Sequence, residues 1–175
     1  MCGCLYEDEF VSWVPFSVEH VFLFFASPQN LPRLMPPWMD TRIEELRLVL
    51  PVPAPPARNP STPIAGVGSE IVTSFRVLPL VPFRKTWIAR ITEFEWNGQF
   101  ADIQAQGPFK SWLHRHKLAP EVRNGVQGSV VRDRIQYEIG FGFLGRIGQA
   151  LFVSRQLKAT FAHRQSVLPG LLRQN

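Results

Sequence analysis

Residues 84–139, RKTWIARITEFEWNGQFADIQAQGPFKSWLHRHKLAPEVRNGVQGSVVRDRIQYEI, decide the fold. Four runs within them, 84–95, 99–106, 109–119 and 128–139, are rich in β-branched and aromatic residues, and each is bounded by Gly, Pro or Asn. Asn97-Gly98 is the strongest reversal signal, because both residues tolerate the positive φ of a two-residue hairpin turn. Gly107-Pro108 and Asn124-Gly125 mark the next two reversals. Strands joined by such short turns pair with their neighbours, so this stretch predicts an antiparallel meander.

Upstream, 68–77 and 40–50 (DTRIEELRLVL) add two strands. The charge spacing of the second would also suit a helix. Its alternation and closing proline favour a strand. Between the two, PVPAPPARNPSTP (51–63) carries six prolines and can sustain neither a helix nor a central strand. Residues 51–67 read as an extended, polyproline-type spacer loop. LYEDEFVSW (5–13) reads as the first strand, stopped by Pro15. Ser17 is a good N-cap, Glu19 suits the first turn of a helix, and Val18–Phe25 is apolar enough to be buried. Ser27-Pro28 restarts the chain as a second short helix, with Ser27 as cap, to about Leu34. Trp38 and Met39 follow, placed near a cavity mouth.

Downstream of the meander the period changes. Leu144, Ile147, Leu151, Leu157, Phe161 and Leu168 recur at helical spacing, with Arg146, Arg155, Lys158 and Arg164 as the wet side. This predicts one long amphipathic helix over 144–168, ended by Pro169-Gly170. The fold class is therefore α+β: a curved antiparallel sheet of about seven strands, two short helices after the first strand, and a long C-terminal helix covering one face. A sheet wrapped on one helix leaves an internal cavity between them. A length of 175 residues suits a single domain, 1–175.

Composition narrows the function. With 45% apolar and 19% charged residues the chain is globular rather than disordered. No apolar run approaches the ~18–20 residues of a membrane-spanning helix. MCGCLYEDEF lacks the basic start and apolar stretch of a signal peptide, so a cytoplasmic location is expected. The net charge of +5 is scattered, which predicts no nucleic-acid binding and leaves weak contact with an anionic membrane surface open. Cys2 and Cys4 read as idle, reduced thiols. No glycine-rich nucleotide loop or nucleophile motif is present, so no cofactor is expected.

Strand alternation locates the polar residues that matter. Trp112, His114 and His116 share a face opposite Leu113, Arg115 and Lys117. Asp133, Ile135 and Tyr137 share a face opposite Arg132, Arg134, Gln136 and Glu138. The more charged sets belong in solvent, which turns His114, His116 and Asp133 inward. A buried carboxylate needs a partner, and either histidine supplies one across a strand pair. His-x-His also places two imidazoles on one face, with Asp133 as the only candidate third metal ligand, and no metal is expected on that basis. His20 reads as surface or packing and His163 as solvated. Most aromatic residues are core, with a minority, Trp87 and Trp112 among them, lining the cavity. In 99–106, pattern alone turns Ala101, Ile103 and Ala105 inward.

Four stretches resemble one superfamily: FVSWVPFSVEHVFLFFASPQNLPRLMPPW (10–38), WIARITEFEWNGQFADIQAQGPFKSWLHRHKL (87–118), VVRDRIQYEIGFGFLG (130–145) and FVSRQLKATFAHRQ (152–165). It is the polyketide cyclase/START-related superfamily, SRPBCC, whose helix-grip fold is also that of the birch-pollen allergen. Within it the chain resembles bacterial stand-alone ligand-binding SRPBCC proteins, from about residue 8 to 168, with 51–63 the least similar part. The resemblance implies that Phe100, Asp102 and Gln104 face the cavity. The expected ligand-binding set is then Trp87, Phe100, Asp102, Gln104, Trp112, His114, His116, Asp133, Tyr137 and Phe161. The superfamily holds lipid carriers, hormone receptors, aromatases and cyclases, and chaperone activators, so the fold alone leaves three functions open. The leading one is binding or carrying an apolar or amphipathic small molecule: a lipid, an isoprenoid or a polyketide-like compound. The second is a cyclase or dehydratase of the aromatase type using His116 or Asp133 as base. The third is a protein-interaction or regulatory module, which requires a filled core and an exposed apolar patch.

Overall fold

The computed structural model describes residues 4–54, 63–78, 83–140 and 152–174. Seven strands form one antiparallel sheet: β1 (Leu5–Val14), β2 (Arg42–Arg47), β3 (Glu70–Arg76), β4 (Arg84–Glu95), β5 (Gln99–Gln106), β6 (Ser111–Arg123) and β7 (Val126–Glu138). Their order is β1-β7-β6-β5-β4-β3-β2, so the chain runs a meander from β2 to β7 and β1 closes the far edge. Both expected Asn-Gly turns form, with Asn97 (φ 58°) and Asn124 (φ 50°) in the left-handed region. The ambiguous 40–50 segment is a strand over its central six residues. Register shifts between Ile43 and Glu45, Ile88 and Ala89, and Ile91 and Glu93 mark bulges, and bulges bend a sheet.

Helix α1 (Val18–Ala26) begins where Ser17 accepts a hydrogen bond from His20 N, and it buries Val21, Phe22, Phe24 and Ala26. The segment after it differs from expectation. Ser27 makes no side-chain cap bond, Pro28–Asn30 is a 3-10 turn, and the helix proper, α2, is only Leu31–Leu34. Asn30 fixes this corner by donating from Nδ2 to Phe24 O at 2.9 Å. Of the proline-rich loop, 55–62 lie outside the described residues, as does Cys2; Cys4 is a free, exposed thiol.

The long helix α3 is described over Ser154–Leu172. Its expected beginning at 144–151, with Leu144, Arg146, Ile147 and Leu151, lies outside the described residues. Its expected end is wrong. Pro169-Gly170 lies inside the helix, which continues because Leu168 and Leu172 are buried under α1 and Leu171 packs beside them. His20 Nε2 donates to Leu172 O at 2.8 Å and so satisfies a carbonyl of the last turn. The second correction matters more. Arg164 is not on the wet side: Phe161, Arg164, Leu168 and Leu172 form the buried stripe. Arg155 and Lys158 are exposed as expected, and no described helix is long and apolar enough to cross a membrane.

The core divides around the middle of the sheet. One cluster joins Val14, Phe22, Phe24, Phe100 and Leu118 to Leu168 and Leu172. Another joins Ile135 and Tyr137 to Phe161, which stacks on Phe10 with ring centroids 4.1 Å apart. Gly128 lies on β7 at the end of its pairing with β1, next to the Val14–Ser129 pair. A Cβ there would stand 2.4 Å from Val14 O and 2.5 Å from the Trp13 ring. Gly128→Ala is therefore expected to destabilise the fold by about 1–3 kcal/mol, the usual overpacking range, in urea unfolding.

Candidate functional site

A cavity of about 450 Å³ lies between the inner face of the sheet, the α1–α2 corner and α3. Trp87, Ile91, Phe109 and Trp112 line it from the sheet side, Leu31, Leu34 and Met39 from the corner, and Leu157 and Phe161 from α3. Trp87 and Trp112 meet edge to face at 5.0 Å, which gives the wall a rigid shape. Met39 reaches the cavity as expected, whereas Trp38 is not among its lining residues.

Into this apolar wall the register brings a polar cluster. His116 pairs with Asp133 across β6–β7, and His114 pairs with Asp102 across β5–β6. Arg164 descends from α3. The side chains of Asp102, His114, His116, Asp133 and Arg164 are only 15%, 12%, 8%, 4% and 11% exposed. Asp133 Oδ1 is the hub. It lies 2.6 Å from His116 Nδ1, 3.1 Å from His114 Nε2 and 3.2 Å from an Arg164 guanidinium nitrogen. An ionised carboxylate only accepts, so both facing imidazole nitrogens carry protons. The 3.3 Å approach of Arg164 to His116 Nδ1 follows from their sharing that oxygen. Arg164 also lies 4.3 Å over the Phe25 ring, and His116 stacks on Phe100 at 4.3 Å.

The environments push these groups apart. Burial alone raises Asp133, and the Arg164 guanidinium with both imidazoles more than reverses this, holding it well below the usual carboxylate range. Burial, with the neighbouring imidazole, lowers His116 to about 3 despite Asp133, so the ring is neutral near pH 7. Burial raises Asp102, only partly countered by His114 and Arg164. Among the described residues the Asp102 carboxyl meets a partner only at 3.8 Å, His114 Nδ1.

Of the ten residues expected to contact a ligand, Trp87, Phe100, Asp102, Trp112, His114, His116 and Phe161 line the cavity. Phe100 and Asp102 thus face as the resemblance implies and against the pattern of β5 alone. Three do not line it. Asp133 lies beneath the histidines it holds. Tyr137 is fully buried, donates to Asp8 Oδ2 at 3.1 Å and packs among Tyr6, Phe109 and Trp112. Gln104 instead closes the β5–β6 turn, donating to Phe109 O and accepting from Phe109 N. Sequence reading missed Arg164 as a member of the site. The available signal was its place three residues after Phe161 and four before Leu168, on the apolar stripe itself.

This architecture is a helix-grip fold, and solved structures share it. A START superfamily protein from Mycobacterium smegmatis superposes with a TM-score of 0.63 at 15% identity, over 96% of this chain and 97% of that one. A norcoclaurine synthase from Thalictrum flavum, a point mutant in complex with a transition-state analogue, gives 0.61 at 15% identity, over 100% and 99%. Ara h 8.0201 gives 0.57 at 13% identity, over 98% and 100%. No protein-family model matches the chain, and no curated protein does.

Two outcomes follow from the cluster. Arg164→Met leaves the buried Asp133 carboxylate without its cation and is expected to cost about 3–5 kcal/mol in urea unfolding. Acid is expected to destabilise the fold. Unfolded His116 takes up a proton near 6.5 while the folded ring resists to about 3, so its contribution is full above 6.5 and lost as pH falls through that window. Asp133, held low, has the same sign further down. Melting temperature should fall between pH 6.5 and 3, and less steeply in His116→Gln.

Proposed function

We propose that the chain is a single SRPBCC-like domain that binds or carries an apolar or amphipathic small molecule: a lipid, an isoprenoid or a polyketide-like aromatic. The observation that carries this is the cavity of about 450 Å³, walled by apolar side chains with Asp102, His114, His116 and Arg164 gathered in one part of its lining. That volume lies within the ~300–1,000 Å³ of ordinary small-molecule sites, and a few convergent polar groups in an apolar wall are what orient a ligand. A cavity of this size weighs against the filled core that an interaction module requires. The ligand's hydrocarbon or ring portion lies against Trp87, Trp112 and Phe161, and its polar end meets Asp102 and the histidines. The protein works in the cytoplasm, with at most weak contact to a membrane surface.

The enzyme reading survives in altered form. A ring that protonates only near 3 is a feeble base at pH 7, and Asp133 is tied into its ion pair, so neither suits the role of general base. Asp102, raised by burial and facing the cavity, is the better acid–base candidate. A further structure of the Thalictrum flavum synthase holds dopamine and hydroxybenzaldehyde, which favours testing aromatic compounds first.

Native mass spectrometry of freshly purified protein, followed by solvent extraction, is expected to release one discrete lipid or aromatic compound. Ala89→Trp, which fills the cavity from β4, should abolish that adduct without lowering the melting temperature. A clean apo mass, with no melting shift across a panel of fatty acids, isoprenoids and phenols, would sink the proposal.

A further inference from the structure

The His-x-His pair of β6 puts His114 and His116 on one face, with Asp133 opposite on β7. The structure gives Asp133 a task other than that of third metal ligand. Its Oδ1 accepts from His114 Nε2 and from His116 Nδ1. Each imidazole is thereby held in the tautomer whose other nitrogen, His114 Nδ1 or His116 Nε2, bears a lone pair. A carboxylate behind the ring is the usual device for orienting metal-binding histidines and raising their donor strength. Arg164, 3.2 Å from that same oxygen, balances the Asp133 charge.

A second carboxylate stands on the cavity side. Asp102 is the β5 residue paired with His114, and its Oδ1 is 3.8 Å from His114 Nδ1. One donor atom from each of Asp102, His114 and His116 lies within 4.8 Å of the other two. Ligands at ~2.0–2.1 Å from a tetrahedral ion stand about 3.3 Å apart, so closing the three onto one ion requires side-chain shifts of roughly 1 Å. All three residues line the cavity.

We infer that Asp102, His114 and His116 form a site for one divalent transition-metal ion, with Asp133 as the positioning residue behind both imidazoles. Two imidazoles and one carboxylate make a borderline donor set, suited to Zn²⁺, Co²⁺ or Fe²⁺ rather than to Mg²⁺ or Ca²⁺. The three ligands leave the remaining coordination positions to the cavity, for water or for an oxygen of a bound molecule. The inference does not depend on which molecule occupies the cavity, and its test involves no organic ligand.

The test is a Co²⁺ titration of chelator-stripped protein, followed by visible absorption, with Zn²⁺ competition. One equivalent is expected to saturate a visible ligand-field band, and Zn²⁺ to erase it. Asp102→Asn keeps the side-chain shape and leaves the Asp133 contacts intact, and His114→Gln removes a donor nitrogen; each is expected to weaken Co²⁺ at least tenfold. His163→Ala, outside the cluster, should bind as the parent does. Melting curves of the stripped variants establish that they are folded, and Asp102→Ala replaces Asp102→Asn if the latter is not. Absence of a saturable band in folded, stripped protein overturns the inference. So does a band whose affinity falls less than tenfold in the folded Asp102 variant.

Discussion

The ion pair between Asp133 and Arg164 is the constraint on which the rest of the molecule depends. It joins β7, the strand next to the β1 edge of the sheet, to the helix that covers it, with both side chains about nine-tenths buried. β7 lies between β1 and β6, and Asp133 sits opposite Phe10 on one side and His116 on the other. A slip of one residue would turn Arg132 and Arg134 into the cavity and Asp133 into solvent. An apolar strand tolerates such an error better than one with a carboxylate that must find one guanidinium. The pair thus specifies the register of three strands at once, and the seat of α3 upon them.

From that register the chemistry follows. Two carboxyl groups come to lie one on either side of His114, in opposite electrical surroundings. Asp133 has a cation and two donors and stays ionised; Asp102 has burial, only partly countered by His114 and Arg164, and is driven toward its protonated form. Groups whose environments separate their proton affinities in this way can divide roles within a site. Here one holds and the other faces the cavity. The stacking of Phe100 on His116 and of Phe161 on Phe10 keeps the surrounding wall apolar, which strengthens every electrostatic contact within it.

Much of this was legible in the residues. The two Asn-Gly turns and the alternation of β6 and β7 fixed the meander, and the isolation of Asp133 among apolar neighbours pointed inward with the histidines beside it. Arg164 escaped because arginine on a helix is ordinarily a wet residue. Its spacing from Phe161 and Leu168 placed it on the dry stripe, and only the need of Asp133 for a cation gives that placement meaning. The helix end escaped for a related reason. Pro169 removes one backbone donor, and the burial of Leu168 and Leu172 outweighs that loss. Gln104 escaped because alternation describes which way a side chain starts, whereas its amide turns back to Phe109 and closes a turn. β5 was the strand where apolar pattern misled, since Ala101 is fully buried on the face opposite the cavity.

Asp102 stands apart from the rest of the polar cluster. Asp133, Arg164 and the two histidines satisfy each other, and such a network needs nothing more to justify it than the fold it specifies. Asp102 adds little to that network. Its contact with His114 is long, and its burial disfavours the charged form. A buried polar group short of partners costs stability, on the order of 1–3 kcal/mol, that an apolar side chain of similar size would not. The fold gains nothing visible in return at that position. What the position does offer is an oxygen facing a cavity of about 450 Å³, beside an imidazole already oriented from behind. The polar residue that contributes least to holding the protein together is the one best placed to hold something else.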